Sequence, residues 1–583
     1  MKTTPPSARC VSHSIEILEA RIAPAAMIAA NKLSATYSDV DGDLVTIKYT
    51  QPVADQIDYQ FNKGTSAFGA TLTGLDFTAA LFKPGLGVSL TAKPQILLPG
   101  GKLHGDGLAN IGFFNAFNDD LGVVSVAGDV AKIRAGSGST TFPAIKSLTV
   151  QSIGEYGLDT GAPNILSVIN GALGSLTVKG NVRHTFNATT IGPVTIGGSL
   201  LGSSDANSGS ISGANGLGAV KIAGSIIAQG SPGNDASGDG SAGIFSGGLI
   251  KSVTVGGSII GGVDPDPSDA TSFGSNSGSI AGEGIGFIKI GHDLVGGSAP
   301  GSGQIQTLGP IPSISIGGSL LGGAGHNSGR IFSAMTLAKI TIGGDLRGGD
   351  ANGYDLVGTG AIEADRIGSL TVGGSIIAGK VENGGTLVRS GFVNATHDLG
   401  SVVVRGSLVG NAGNLVQITA SGEAAPTPTR DLAMKSVFIG GNVDHAWILG
   451  GVDEQSVGNN ATAQIGTVTV RGDWTASFLG TGLTSTDGYF GDKNDAPLGI
   501  ATISKIATIV IGGQVAGQVM DIGATSGFAA PEIGSFKYHG IALALTPGSG
   551  NDTFALNNAH PVGPTRSQTN ADTYAVHVYE VAI

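Results

Sequence analysis

The sequence predicts an all-β chain, a single long right-handed parallel β-helix of about 14 coils with a small β cap at each end. Three observations carry that expectation. Of 583 residues, 99 are Gly, while only 13% are charged and 5% aromatic. Short Val/Ile/Leu runs ending in Gly recur along the chain from about residue 119 to 519. The spacing between them is fixed on one leg and variable on the other. Alternatives fail on composition: collagen needs Gly at every third position, and disorder needs few aliphatics and much charge. No uncharged apolar run of about 18 residues is present, so no transmembrane segment is expected.

Strings such as Val253-Thr-Val-Gly-Gly-Ser-Ile-Ile-Gly and Ile314-Ser-Ile-Gly-Gly-Ser-Leu-Leu-Gly define the repeat. Taking the last apolar residue before the Gly as an anchor aligns Val126, Val150, Val178, Ile196, Ile222, Val255, Ile290, Ile316, Ile342, Val372, Val404, Ile439, Val470 and Ile511. Side chains two and five residues before each anchor are also apolar, which gives a strand with one buried face. The second residue after the anchor is Gly except at Ser152 and His292, and the third is mostly Ser, Asp or Asn. These are expected to form a bend, Gly supplying positive φ and the polar side chain bonding its own backbone.

A second anchor occurs at Ile211, Ile244, Ile280, Ile305, Ile331 and Ile362. It follows the first anchor by 15, 22, 25, 15, 15 and 20 residues and precedes the next one by 11, 11, 10, 11, 11 and 10. Rigid rungs stacked with insertions leaving on one side would give this pattern. Residues 119–519 are therefore assigned to the helix, about 65 Å long at the usual strand spacing, with right-handedness following the bias of parallel crossovers. Residues 28–118 and 520–583 depart from the repeat and are assigned as N- and C-terminal caps. Residues 1–27 are assigned as a leader.

The segment Leu18-Glu-Ala-Arg-Ile-Ala-Pro-Ala resembles the Leu-Glu-x-Arg sorting-like motif of large repeat-rich surface proteins from planctomycete- and verrucomicrobia-type bacteria. The stretch Tyr37-Ser-Asp-Val-Asp-Gly-Asp-Leu-Val-Thr-Ile, with the Gly-Gly-Ser-Leu-Leu-Gly repeats, looks like the same group. The resemblance implies an exported or envelope-associated β-helix and supplies no catalytic residues.

A net charge of −12 disfavours nucleic acid as a partner. The only cysteine, Cys10, lies in the leader, so neither a disulfide framework nor a Cys-based zinc site is expected in the body. Parallel β-helices also include pectate-lyase-like enzymes, which need carboxylates clustered on neighbouring coils. The outward position before each first anchor holds no Asp or Glu. Around the second anchors only Arg330 and Glu363 are charged, and they read as a surface pair.

Acidic residues gather instead in the variable leg. Asp205, Asn234, Asp239, Asp350 and Asp355 are the candidate ligand-binding residues, and Asp235, Asp264, Asp266 and Asp269 the candidate metal ligands. Such loops would bind Ca²⁺ or a hydroxyl-rich glycan through oxygen atoms; no other cofactor is expected. Asp39-Val-Asp-Gly-Asp resembles the opening of a Ca²⁺ loop, but Thr50 stands where an EF-hand needs Glu, so a hairpin turn is the expected structure. Gly548-Ser-Gly-Asn-Asp-Thr-Phe matches one isolated nonapeptide Ca²⁺ turn. The expected protein is an exported, non-enzymatic surface component or adhesin whose partners are extracellular glycans or envelope components. The alternatives are a polysaccharide-active enzyme and a glycan- or Ca²⁺-binding module, each built on the acidic loops.

Overall fold

A computed structural model describes residues 26–62, 66, 68–97, 103–229, 241–264, 276–423, 431–485, 490, 495–499, 503–517, 526–556 and 576–582. Its regular structure is strand, apart from two short 3-10 turns at Ala54–Gln56 and Gly157–Thr160. Parallel pairing dominates, and residues of equal repeat position meet in register. Val178 lies beside Ile196, Ile196 beside Ile222, and Ile222 beside Val255, and the row continues through Ile316, Val372, Ile439 and Ile511. A second row runs Ile211, Ile244, Ile280, Ile305, Ile331, Ile362 and on to Val393, Ile418, Ile448 and Leu479. The third is a separate eleven-stranded stack of two-residue strands from Leu200–Leu201 to Val515–Ala516.

The inward faces of the three rows meet in one continuous core. All fourteen first anchors and all six second anchors belong to it, together with the apolar residues two and five positions before each first anchor. Nearly all are at most 2% exposed, with Leu217 at 4%. Burying a Val, Leu or Ile contributes roughly 1.5–3 kcal/mol, and here each anchor is covered in part by its counterpart in the next coil.

The bend after each first anchor differs from the sequence expectation in both its parts. The polar residue does not bond its own backbone. Its side-chain oxygen accepts the backbone N–H of the same position in the following coil: Asn181 from Ser199 (3.0 Å), Ser199 from Ser225 (3.0 Å), Ser225 from Ser258 (3.1 Å) and Ser258 from Asp293 (3.2 Å). The ladder continues through Ser319, Asp345, Ser375, Ser407, Asn442 and Asp473 to Gln514 at 2.7–3.0 Å. The Gly before it is not left-handed either, since none of these glycines has positive φ. Its lack of a side chain is what matters: a Cβ on Gly374 would sit 2.0 Å from Asp345 Oδ1, the ladder oxygen of the coil beneath. Left-handed Gly occurs elsewhere, in a Ser/Thr-Gly pair at the base of the inserted loops. Ser302, Ser328, Thr359 and Ser390 each accept a backbone N–H from the opposite side of the loop neck, those of Gly297, Gly323, Gly349 and Gly379.

Insertions leave from one corner only in the middle of the solenoid. Beyond residue 420 they move to the other leg, between Val416–Ala420 and Asp431–Ile439, between Ala446–Gly450 and Ala463–Val470, and between Phe478–Thr481 and Lys505–Ile511. The expected single row of loops is therefore corrected. The late insertions have an apolar reason: Val452, Leu483 and Phe490 fold back on Trp447, Leu449 and Phe478 and form a second, smaller core outside the coils. Phe490 stacks on Phe478 at 5.8 Å and meets Trp447 edge-on at 5.7 Å.

At the N-terminal end, Ser34–Ser38 and Asp43–Tyr49 form the antiparallel hairpin expected of the Asp-Gly turn. Asp43–Tyr49 then pairs antiparallel with Leu86–Pro94. Parallel stacking begins before residue 119, because Leu86–Pro94 and Ile111–Phe117 both pair parallel with Leu121–Gly136, and Thr71–Asp76 with Ile111–Phe117. At the other end Val576–Glu580 adds parallel to Gly527–Ala530 and antiparallel to Thr553–Leu556. The buried Glu580 fixes this end by accepting the N–H groups of Ile533 (2.9 Å) and Asn551 (3.1 Å).

The ladder yields a direct test. Gly374→Ala is expected to displace the Asp345 carboxylate, strand the Ser375 N–H and destabilise the chain by about 2 kcal/mol. Asp345→Asn keeps an acceptor oxygen and should stay within about 0.5 kcal/mol of wild type. Denaturant midpoints of the two variants, measured side by side, check the difference.

Candidate functional site

Of the acidic residues singled out in the sequence, Asp205, Asp264, Asp350 and Asp355 are described, and none of these belongs to a group of three or more ligand side chains close enough to share an ion. Asp205 sits in an exposed turn, 3.3 Å from the Ser203 hydroxyl. Asp264 docks through its backbone, its N–H on Ser298 Oγ (2.8 Å) and its carbonyl accepting that hydroxyl (2.9 Å). Asp350 accepts the Lys380 N–H and Asp355 the Thr386 N–H, both at 2.8 Å. These last two are construction elements, because the loops of two successive coils stack as extra parallel rungs, Ala351–Asn352 on Val381–Glu382 and Leu356–Val357 on Leu387–Val388. Asn234, Asp235, Asp239, Asp266 and Asp269 lie outside the described residues. In the C-terminal string, Asp552 accepts the Thr546 N–H (2.7 Å), closing a turn rather than a stack of Ca²⁺ loops.

Charge gathers instead on the outward side of the second-anchor row. Consecutive coils place Gln306, Phe332, Glu363, Asn394 and Thr419 directly above one another. Arg330 pairs with Glu363 and lays its guanidinium 4.5 Å from the centre of the Phe332 ring. Arg389 reaches the same carboxylate at 3.5 Å and Glu454 at 3.3 Å. Glu363 is only 3% exposed, which overturns the reading of Arg330 and Glu363 as a surface pair. Arg389 went unnoticed because it stands outside the anchor positions. Its signal is its place directly before the Ser390-Gly391 loop base, one coil above Glu363.

Beside this row, three residues along the strand that carries Glu363, a second group begins. Arg366 bonds Glu423 through both guanidinium nitrogens (2.8 and 3.0 Å) and also pairs with Asp398, while His397 bonds Asp365. The Arg366 bonds hold Glu423 below the usual carboxylate range, and the same bonds raise Arg366. Glu363 thus lies between two arginines, and Glu423 is tied to one. Within the row from Gln306 to Thr419, Glu363, Asn394 and Thr419 are buried, and the Thr419 hydroxyl donates to Asn394 Oδ1 (2.8 Å), while Gln306 and Phe332, with Arg330 and Arg389 beside them, stay half-buried and are the parts open to a ligand.

No family model, curated protein or solved structure matches the chain. Among the described residues no helix is long and apolar enough to cross a membrane.

Removing the carboxylate between the two arginines should be costly. Glu363→Ala is expected to destabilise by about 3 kcal/mol, since it leaves the Arg330 guanidinium, whose Nε is buried, without its carboxylate. Asp205→Ala, in its exposed turn, should change stability by less than about 0.5 kcal/mol. Urea denaturation of both variants provides the comparison.

Proposed function

We propose that this chain is an exported, non-enzymatic β-helical component of the cell surface, adhesin-like, with the half-buried Gln306, Arg330, Phe332 and Arg389 as part of its contact face for extracellular glycan or envelope material. The observation that carries the reading is the use made of the carboxylates. Asp293, Asp345 and Asp473 serve the inter-coil ladder, Asp350 and Asp355 bind the next rung's backbone, and Glu363 and Glu423 are matched by arginines. Each is spent on holding coils together. A long body without thiols, together with the Leu18-Glu-Ala-Arg leader, supports export.

Two measurements test this. Intact cells treated with a membrane-impermeant biotin reagent should label the native protein, and fractionation should recover it with the envelope. Recovery from the cytosol would sink the proposal. Purified chain incubated with polygalacturonate and other acidic polysaccharides should release neither unsaturated ends nor new reducing ends. Product whose formation is lost in Glu363→Gln would establish the enzyme reading instead.

A further inference from the structure

The N-terminal hairpin turn carries more than a change of chain direction. Asp39, Asp41 and Asp43 each bring a carboxylate oxygen within 4.8 Å of the other two. This is twice the usual Ca²⁺–oxygen distance of about 2.4 Å, the separation of two ligands on opposite sides of one ion. Asp39 is 8% exposed and Asp43 fully buried. None of the ion pairs among the described residues involves them.

A cluster of acids alone proves little. The deciding observation is the Asp43 side chain. Its Oδ2 accepts the Gly107 N–H at 2.6 Å, but its Oδ1 is buried with no hydrogen-bond partner. A buried, unpaired carboxylate oxygen is among the most expensive groups a fold can carry. Space is kept for it: Gly105, at φ +113°, stands where any Cβ would overlap that oxygen.

A second segment closes the group from the other side. The Asp106 N–H donates to Asp41 Oδ2 (3.0 Å), the Asp106 carboxyl lies against Asp41, and His104 bonds the Asp41 carbonyl. The three turn carboxylates thus lie together with the Asp106 segment against Asp41, and no ion pair among the described residues reaches them.

We propose that Asp39, Asp41, Asp43 and Asp106 form a Ca²⁺ site that pins the hairpin to the segment 104–107 of the N-terminal cap. An all-oxygen, carboxylate-rich set supplied by two chain segments suits a hard cation that tolerates irregular geometry, and favours Ca²⁺ over the stricter Mg²⁺. The EF-hand criterion misses the site because the fourth carboxylate comes from residue 106, across the cap, and not from the twelfth position of the loop. The proposal stands apart from the surface function and from the inserted acidic loops.

The test uses the purified full-length chain, stripped with chelator and titrated calorimetrically with CaCl₂ and, separately, MgCl₂. Expected are binding dependent on this turn, with a dissociation constant of about 10⁻⁴–10⁻³ M as in extracellular Ca²⁺ modules, weaker Mg²⁺ binding, and a rise in melting temperature. Asp41→Asn, in the half-exposed part of the turn, should weaken binding roughly tenfold or more. Asp106→Asn should do the same without altering the hairpin itself, and Asp355→Asn should bind as wild type. Absence of Ca²⁺ binding at millimolar concentration overturns the proposal. So does wild-type affinity in both Asp41→Asn and Asp106→Asn, which would put the ion elsewhere, or tighter binding of Mg²⁺ than of Ca²⁺.

Discussion

Each bend of the solenoid from Ser199 to Gln514 has to find an acceptor for a backbone N–H that points along the axis rather than into its own coil. A buried or half-buried N–H without a partner costs about 1–3 kcal/mol, and the protein meets that demand with the side chain of the preceding bend. One rule then fixes several features at once. The residue must be short and carry an oxygen, hence Ser, Asp or Asn at Ser199, Asp293 and Asn442. The residue before it must leave room for that oxygen, hence Gly374 against Asp345 and Gly318 against Asp293. Coils must also stack without slip, because a shift of one residue would break the bond and turn the aliphatic face outward together.

The same rule accounts for much of the acidity. Asp293, Asp345 and Asp473 are backbone acceptors, and Asp350 and Asp355 extend the principle into loops that stack as rungs of their own. Acidic residues on a β-helix invite a search for catalytic carboxylates. Among the described residues, Asp293, Asp345, Asp473, Asp350 and Asp355 are taken up by coil-to-coil bonding, and Glu363 and Glu423 by arginine.

The core was legible in the sequence because its signal is periodic. Anchors such as Val255 and Ile316, and the apolar positions before them, can be read from spacing alone, and each meets its counterpart in register. What spacing could not convey is the partner of each polar bend residue. Ser225 and Ser258 are 33 positions apart, so within either string the serine looks like a local turn residue. Distance in sequence also hid Arg389 from Glu363 and Asp106 from Asp41, because the contacts depend on which coils or strands adjoin. The late insertions escaped for another reason. Beyond residue 420 the second-anchor strands Val416–Ala420 and Ala446–Gly450 lose the Gly-rich signature, and with it the spacing that showed where loops leave.

A repeating stack has an inherent weakness at its ends, where the last coil offers both a bare aliphatic face and an unpaired strand edge. The chain treats the two together. At the beginning, Phe77 stacks on Phe114 at 4.9 Å and Tyr37 meets Phe61 at 5.0 Å, while the hairpin of Ser34–Ser38 and Asp43–Tyr49 covers the edge. At the finish Trp474, Phe528 and Phe536 succeed one another in the column at 4.7 Å, and the strands Ile541–Ala542 and Thr553–Leu556 turn antiparallel. Aromatic rings fill the terminal cross-sections that a further aliphatic coil would otherwise occupy. Antiparallel strands offer an approaching coil neither the polarity nor the ladder oxygen it would need. The length of the helix is thereby set by where the sequence stops supplying both the small bend residue and the aliphatic anchor.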